Sequence, residues 1–419
     1  MLLDDSGDGK RGVPQVVSQR PIIVQKYGGS SVADIDKLGL VADRIVATKN
    51  AGHHVVAVVS AMGKTTDGLL DLAKRVAAGG TAGETATPPR RELDMLVSTG
   101  ERVAMSLLSI AIQARGLAAL SFTGSQCGII TNDRHFDARI IEVRPHRIED
   151  ELARDQVVIV AGYQGMSYRR DITTLGRGGT DTTAVALAAA LEAERCEIYS
   201  DVDGVYSADP RAVADAKHLP EIDYDTLQEM AESGAKVLCA QAVEWARRAD
   251  IAIYARATGD PIGPEPRQTI VRKHGPSDQW CARAITCDAQ VALVRLANTA
   301  SLDDLLEVIG RFGIPLAELG SDGQCTSVLF RLTNAPKWAS ARQAIEDLGV
   351  LTLTDDVAWV SVVGDGLTGS ADQLARFRRV LTEAGCEPHT LSASALRLSA
   401  TVDRACVEQA QRALHAEFA

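Results

Sequence analysis

Pro21-Ile22-Ile23-Val24-Gln25-Lys26-Tyr27-Gly28-Gly29-Ser30-Ser31 is the stretch on which the reading of this chain turns. Its apolar centre predicts a short strand over 21–25. A lysine follows, and two glycines with two serines lead into a helical pattern over 34–49. Glycines let backbone N–H groups approach a phosphate, and a helix N-terminus behind them adds partial positive charge. A lysine at the strand end is placed to neutralise charge on a phosphoryl group in transfer. A plain strand-to-helix turn accounts for the same residues when they are taken alone.

Outward from this segment the pattern repeats. A second apolar strand over 55–60 ends in Ala61-Met62-Gly63-Lys64-Thr65-Thr66. Further strands are expected at 118–122, 157–161 and 197–200, with helices over 102–114 and 182–193. Strands alternating with long helices predict an α/β fold, a mostly parallel sheet sandwiched by helices. The Gly/Thr/Pro-rich residues 79–91 read as a surface loop. Composition shifts at Asp260-Pro261-Ile262-Gly263-Pro264-Glu265-Pro266, a domain edge. Beyond it, strand 291–296, helix 301–312 and strand 326–332 are echoed by strand 360–363, helix 371–384 and strand 395–402. A short element at 315–319 and 388–391 completes each copy, giving two α+β units of βαββ order. The expected organisation is a flexible extension at 1–20, a principal domain at 21–275, and small units at 285–350 and 351–419.

The 419 residues carry 44 Lys plus Arg against 55 Asp plus Glu, a net charge of −11, and only 4% aromatics. Such a chain is poorly suited to gripping nucleic acid by charge and base stacking. A local basic pocket for an anionic small molecule stays open. No window of about 18 uncharged apolar residues predicts a membrane span. The first twelve residues are acidic and Gly-rich, unlike a secretion signal, so a cytoplasmic location is expected. The eight cysteines form no CxxC pair, so neither a metal site nor a disulfide framework is expected.

Three further motifs carry chemistry. Gly176-Arg177-Gly178-Gly179-Thr180-Asp181-Thr182-Thr183 opens a helix. Arg177 offers a fork for a carboxylate, and Asp181 is placed to orient Lys26 or a metal-bound phosphate. A simple N-cap explains Thr180 or Asp181, but not three glycines and an arginine. Ser200-Asp201-Val202-Asp203-Gly204-Val205-Tyr206-Ser207-Ala208-Asp209-Pro210-Arg211 follows a strand; Tyr206 and Arg211 supply a ring and a cation for a nucleotide, although an ordinary loop reads the same way. Ser98-Thr99-Gly100-Glu101-Arg102 places Glu101 at an expected helix start, where an acid is favourable anyway; a functional Glu101 would accept a substrate ammonium. Gly364-Asp365-Gly366-Leu367-Thr368-Gly369 matches a dinucleotide-binding spacing, but only fifty residues follow it, too few for that sheet.

Together these motifs resemble the aspartate kinases of the amino-acid kinase superfamily. The resemblance runs over about 23–256 and includes Val59-Ser60-Ala61-Met62, Ser121-Phe122-Thr123-Gly124-Ser125-Gln126 and Gly234-Ala235-Lys236-Val237-Leu238. It implies transfer of the ATP γ-phosphate, with Mg²⁺, to the side-chain carboxylate of L-aspartate, the first step towards lysine, threonine and methionine. It implies that Lys26 stabilises the phosphoryl group and that Asp181 orients the catalytic lysine. Gly28, Gly29 and Ser30 would line the phosphates, and Ser200, Asp201, Tyr206, Arg211 and Lys236 the rest of the nucleotide. Thr66, Glu101, Arg177, Gly178 and Thr180 match positions that hold aspartate.

The chain departs from the family pattern in places. Thr180 stands where the family has Ser, Cys239-Ala240-Gln241 where many members have His-Pro-Arg, and Phe136 where a Gly usually follows His135. The two terminal units resemble paired ACT domains. Their effector turns, Ala297-Asn298-Thr299-Ala300-Ser301 and Leu367-Thr368-Gly369-Ser370, lack the family's Asp-x-Pro-Gly character. Weakened lysine and threonine feedback is therefore expected, together with assembly into a homodimer or larger oligomer. Two other readings stand beside this one: a kinase of the same fold for another acidic amino acid, and a non-catalytic regulatory partner.

Overall fold

The computed structural model describes residues 20–80, 87–235, 238–263, 266–273, 282–297, 302–321, 324–333, 335 and 337–419. Its centre is an eight-stranded sheet. Strand Ile22–Tyr27 lies in the middle, between Arg195–Ser200 on one side and His54–Val59 on the other, all parallel. Val157–Ala161 and Ala119–Phe122 extend one flank in parallel; Ile253–Ala257, Gln268–Arg272 and Glu221–Asp223 form the other. The central strands read as near-continuous apolar runs because helices cover both faces: Val55, Val56, Val58, Val158 and Val160 are fully buried. Helix Ile35–Asn50 starts where the spacing places it, with Asp34 accepting a hydrogen bond from the Lys37 amide at 2.9 Å.

One helix departs from the sequence expectation. It runs over Arg90–Gln113, so it begins within the expected loop and well before residue 102. Ser98, Thr99 and Gly100 look like a break, yet the helix carries them. The Ser98 and Thr99 hydroxyls donate to carbonyls one turn back, and Gly100 faces Ala61 so closely that a Cβ would sit 2.8 Å from the Ala61 side chain. Among the described residues this is the helix long and apolar enough to cross a membrane. Half of its apolar window is buried, with Ala104, Leu108 and Ile112 in the core against the sheet, and Glu101 and Arg102 sit in its middle. That is the pattern of a core helix. A small sheet of Ile129–Thr131, Ile140–Val143, Gln164–Ser167 and Ile172–Thr174 was also missed; its strands are too short for periodicity to show.

The C-terminal part has the repeated order expected, with an added helix closing each copy, Trp338–Glu346 and Val407–Phe418. The two copies share one six-stranded sheet. Its spine is the antiparallel pair of long strands Ala282–Leu296 and Thr352–Gly364. Ile285, on the first half of the earlier strand, packs with Val360, Val362 and Leu398 of the second unit, while Val294 and Leu296 pack in the first. Gly364–Gly369 is a strand-turn-helix, with the helix beginning at Ala371.

The two bodies meet at Arg397. Its guanidinium bonds Glu229 of helix Tyr224–Glu232, in the larger body, at 2.9 Å and Glu318 of the outer strand Leu316–Ser321 at 3.1 Å. It also lies 4.5 Å from the Trp359 ring centroid. Nearby, the buried Thr286 hydroxyl donates to Ser233 at 2.7 Å. Removing one partner of a largely desolvated ion pair leaves the others uncompensated. Arg397→Ala is therefore expected to cost on the order of 3 kcal/mol, seen as a lower denaturant midpoint, with Arg397→Lys in between because it keeps the charge without the fork. An unchanged midpoint for both variants would contradict the role given to this junction.

Candidate active site

The central parallel strands end on one edge, and the chemistry-bearing residues collect there. Lys26 is next to last on its strand, and Asp181 lies in the first turn of helix Gly179–Ala190. Lys26 Nζ and Asp181 Oδ1 are 2.6 Å apart, each side chain about nine-tenths buried (11% and 12% exposed). The cap position of that helix is Gly178, without a side-chain cap, so the plain-cap explanation of Asp181 fails. Its carboxylate is aimed at a lysine on another element instead.

Gly28, Gly29 and Ser30 form the turn beyond Lys26, and the Gly28 amide donates to the Tyr199 carbonyl at 3.3 Å. A side chain at Gly29 would meet the Ala61 carbonyl oxygen at 2.9 Å, so only glycine lets the 28–31 and 61–63 loops lie together. The Gly63 amide closes this contact by donating to the Gly29 carbonyl at 3.0 Å. Thr66 follows in the first turn of helix Thr65–Ala78.

Glu101 is a mid-helix residue, so the favourable-terminus explanation for it also fails. Its Oε1 accepts from the Ala61 amide at 3.2 Å, and Oε2 is buried without a hydrogen-bond partner. Burial raises its pKa to about 7, against the smaller opposing effect of backbone hydrogen bonds. A half-satisfied buried carboxylate is suited to take a donor or a cation.

The Arg177 loop is held from beneath. Gly178 has φ 72°, and a Cβ there would lie 2.3 Å from the Cβ of Cys239. The Cys239 thiol donates to the Gly178 carbonyl at 3.2 Å and lies 3.2 Å from the Thr182 hydroxyl. Thr180 accepts from Ser60 at 2.9 Å, and its methyl leaves room only for glycine at Gly162. Arg177 itself is exposed and makes no ion pair among the described residues. Phe136 takes a left-handed φ of 71°, the conformation glycine suits. Its amide is fixed by buried Asp94, which also binds His135 at 2.6 Å and Thr174 at 2.5 Å. The Phe136 and Asp137 backbone abuts Gly176, beside Arg177.

On the opposite side, Ser200 ends its strand and caps the next turn through the Val202 amide, with Asp201 exposed. Tyr206 donates to Asp203 at 2.7 Å, and its ring meets His218 edge-on at 5.4 Å. Arg211 is forked onto Asp209 at 2.8 and 3.0 Å. Lys236 lies outside the described residues. Under the site, the buried Glu197 carboxylate binds Gln25, Tyr199, Arg195 and Arg256. Burial pushes it up, but the charges and hydrogen bonds more than offset this and hold it below the usual range.

Sequence reasoning missed Gly162, Asp94 and the roles of Ser60 and Cys239. Only the departure at Cys239 gave any signal. Among the described residues no group of three or more His, Cys, Asp or Glu is gathered as a metal cage.

The fold has known counterparts. Residues 21–255 match the amino acid kinase family model, and residues 360–418 match an ACT domain model. The aspartokinase of Mycolicibacterium smegmatis is 40% identical over 95% of this chain and 96% of its own length. That of Corynebacterium glutamicum is 38% identical over the same shares, 95% and 96%. Escherichia coli aspartokinase III in complex with aspartate and ADP (R-state) superposes with a TM-score of 0.82 at 25% identity, covering 94% of this chain and 99% of that one. The same enzyme with lysine and aspartate (T-state) gives 0.72, over 95% and 99%.

Glu101 also makes a stability statement. Its pKa in the fold, about 7, lies above the 4.5 of a free glutamate. Ionising it in the ligand-free protein therefore costs stability, progressively between those two pH values and fully above the higher. Glu101→Gln is expected to raise the melting temperature relative to wild type at pH 8 and to give no such gain at pH 4. A difference independent of pH would show that the carboxylate is not buried as described.

Proposed function

Because the chain belongs to the aspartokinases of the amino acid kinase family, we propose that its site transfers the ATP γ-phosphoryl group to the side-chain carboxylate of L-aspartate. The new bond joins a carboxylate oxygen to phosphorus. The bond from phosphorus to the β,γ-bridging oxygen breaks, and ADP leaves with that electron pair. No general base is required, since the acceptor carboxylate is already ionised near neutral pH. Catalysis is then positioning and charge neutralisation.

The observation that carries this reading is the 2.6 Å Lys26–Asp181 pair, set between a glycine turn on one side and the Arg177 loop on the other. Lys26 faces the phosphoryl group and Asp181 holds it in place. Amides of Gly28, Gly29 and Ser30 receive the phosphates. Arg177 takes the α-carboxylate and Glu101 the ammonium, with Thr66, Gly178 and Thr180 shaping the pocket. Ser200, Asp201, Tyr206, Arg211 and Lys236 take the nucleoside side. With no carboxylate cage among the described residues, Mg²⁺ fits here as an ion carried by the phosphates and water. When bound it would neutralise phosphate charge. The relatives favour neither a different acidic substrate nor a non-catalytic role.

Hydroxylamine trapping with Mg-ATP tests the assignment: hydroxamate is expected from L-aspartate, with little or none from L-glutamate or cysteate. Lys26→Ala is expected to lower kcat by at least about 10²–10³-fold, the loss typical of one electrostatic stabiliser. Activity retained in that variant would sink the role given to Lys26.

Weakened feedback belongs to the same proposal. The first effector turn spans residues 297–301, of which 298–301 lie outside those described; in the second, Leu367 is buried in the unit's own core and Ser370 caps the next helix at Asp372. A homodimer or larger assembly in the cytoplasm completes the reading. Millimolar lysine plus threonine should leave the rate essentially unchanged, and strong inhibition would overturn the feedback part alone.

A further inference from the structure

The segment that follows Tyr206 leaves the kinase body and enters the core of the second regulatory unit. Ala208 and Val213, each only 4% exposed, pack in one cluster with Val362, Phe377, Leu398 and Leu414. Ser207 sits at the crossing. Its carbonyl accepts from the Ile285 amide of the regulatory sheet at 2.7 Å, and its hydroxyl oxygen accepts from the Lys217 amide at 2.8 Å. The same hydroxyl lies 2.8 Å from Nε2 of His415, a buried residue of the C-terminal helix Val407–Phe418. With the Lys217 amide donating to it, the Ser207 hydroxyl is left to give its own proton to His415. Burial, then the nearby Lys217, holds the imidazole pKa down, which suits a neutral acceptor. Two more contacts fasten the helix to the segment: Arg412 to the Ala212 carbonyl at 3.0 Å and Lys217 to the Ala419 carbonyl at 2.6 Å. Between them is a cavity of about 620 Å³ lined by Arg211, Lys217, Arg412 and His415. Around that cavity the segment is held by these polar contacts, while Ala208 and Val213 are packed into the cluster beside it.

We propose that His415 is a positioning residue for the nucleotide side of the site: through Ser207 it fixes the segment carrying Tyr206 and Arg211, so the C-terminal helix sets nucleotide affinity. The inference rests on the assignment of Tyr206 and Arg211 to the nucleotide. His415 touches no substrate and acts only through the backbone it anchors.

The test uses the full chain. His415→Ala is expected to raise both the KM for Mg-ATP and the Kd for Mg-ADP measured by calorimetry by about fivefold, the worth of one net hydrogen bond. The kcat and the KM for aspartate should change less than twofold. His415→Gln, which can place an acceptor near Nε2, should recover most of the nucleotide affinity. Ser207→Ala should reproduce the His415→Ala effect, and the double variant should add nothing to it. Unchanged nucleotide affinity in both single variants overturns the proposal. So does a parallel loss of kcat, both KM values and melting temperature without recovery in His415→Gln, which would mark a purely structural role. If His415→Ala does not fold, the Ser207→Ala and His415→Gln pair decides. Calorimetry with Mg-ADP reads the effect even if wild type fails to phosphorylate aspartate, so failure of the activity assignment stays separate from failure of this one.

Discussion

The arrangement depends on one buried charge pair. Lys26 and Asp181 come from elements more than 150 residues apart in sequence, yet their charged atoms stand 2.6 Å from each other. Removing both groups from water is costly, and such pairs are poor investments in stability alone. Here the pair makes sense as preorganisation: a cation held at the strand edge need not be recruited when charge develops on a phosphoryl group. Its position follows from the topology. The chain leaves strand Ile22–Tyr27 towards one flank, returns to its other side at Arg195–Ser200, and puts helix Gly179–Ala190 over the switch point between them.

Much of this was legible in the sequence because the local chemistry is strict. Valine-rich apolar runs at 55–59 and 157–160 announce buried parallel strands, and they are strands. Gly28, Gly29 and Gly178 read as loop glycines, and at two of them the fold supplies the reason: Ala61 crowds Gly29, and Cys239 crowds Gly178. Glu101 was legible as a candidate but for the wrong local reason. The Ser98-Thr99-Gly100 run hides the helix that carries it, and only contact with Ala61 makes Gly100 acceptable there. What could not be read were pairings between distant segments. Cys239 under Gly178, Thr180 against Gly162 and the crossing of Ala282–Leu296 with Thr352–Gly364 all depend on how the elements assemble, and periodicity carries no trace of that.

The repeat illustrates the same limit. Two βαββ units in sequence, expected at 285–350 and 351–419, suggest two successive bodies. The fold instead lends the first half of one long strand to the second unit and fuses both into a single sheet. Sharing a strand removes the freedom of one unit to move without the other, because the antiparallel hydrogen bonds run through both. Arg397 ties that sheet to helix Tyr224–Glu232, which leads towards Cys239 and the floor of the Arg177 loop.

The C-terminal half therefore reaches the candidate site from two sides. One route passes under the Arg177 loop, the other through Ser207 beneath Tyr206 and Arg211. They differ physically. The first is an ion pair over an aromatic ring, partly desolvated and geometrically strict. The second is a set of polar contacts around Ser207, its bond to His415 among them, beside a cavity and next to the packed Ala208 and Val213. Close-packed junctions resist displacement until they give way together, whereas a loosely supported one yields at little cost. A small motion of the C-terminal helix should therefore be felt where the segment carrying Tyr206 and Arg211 is anchored. The Lys26–Asp181 pair joins a sheet strand to helix Gly179–Ala190 and lies away from that anchor.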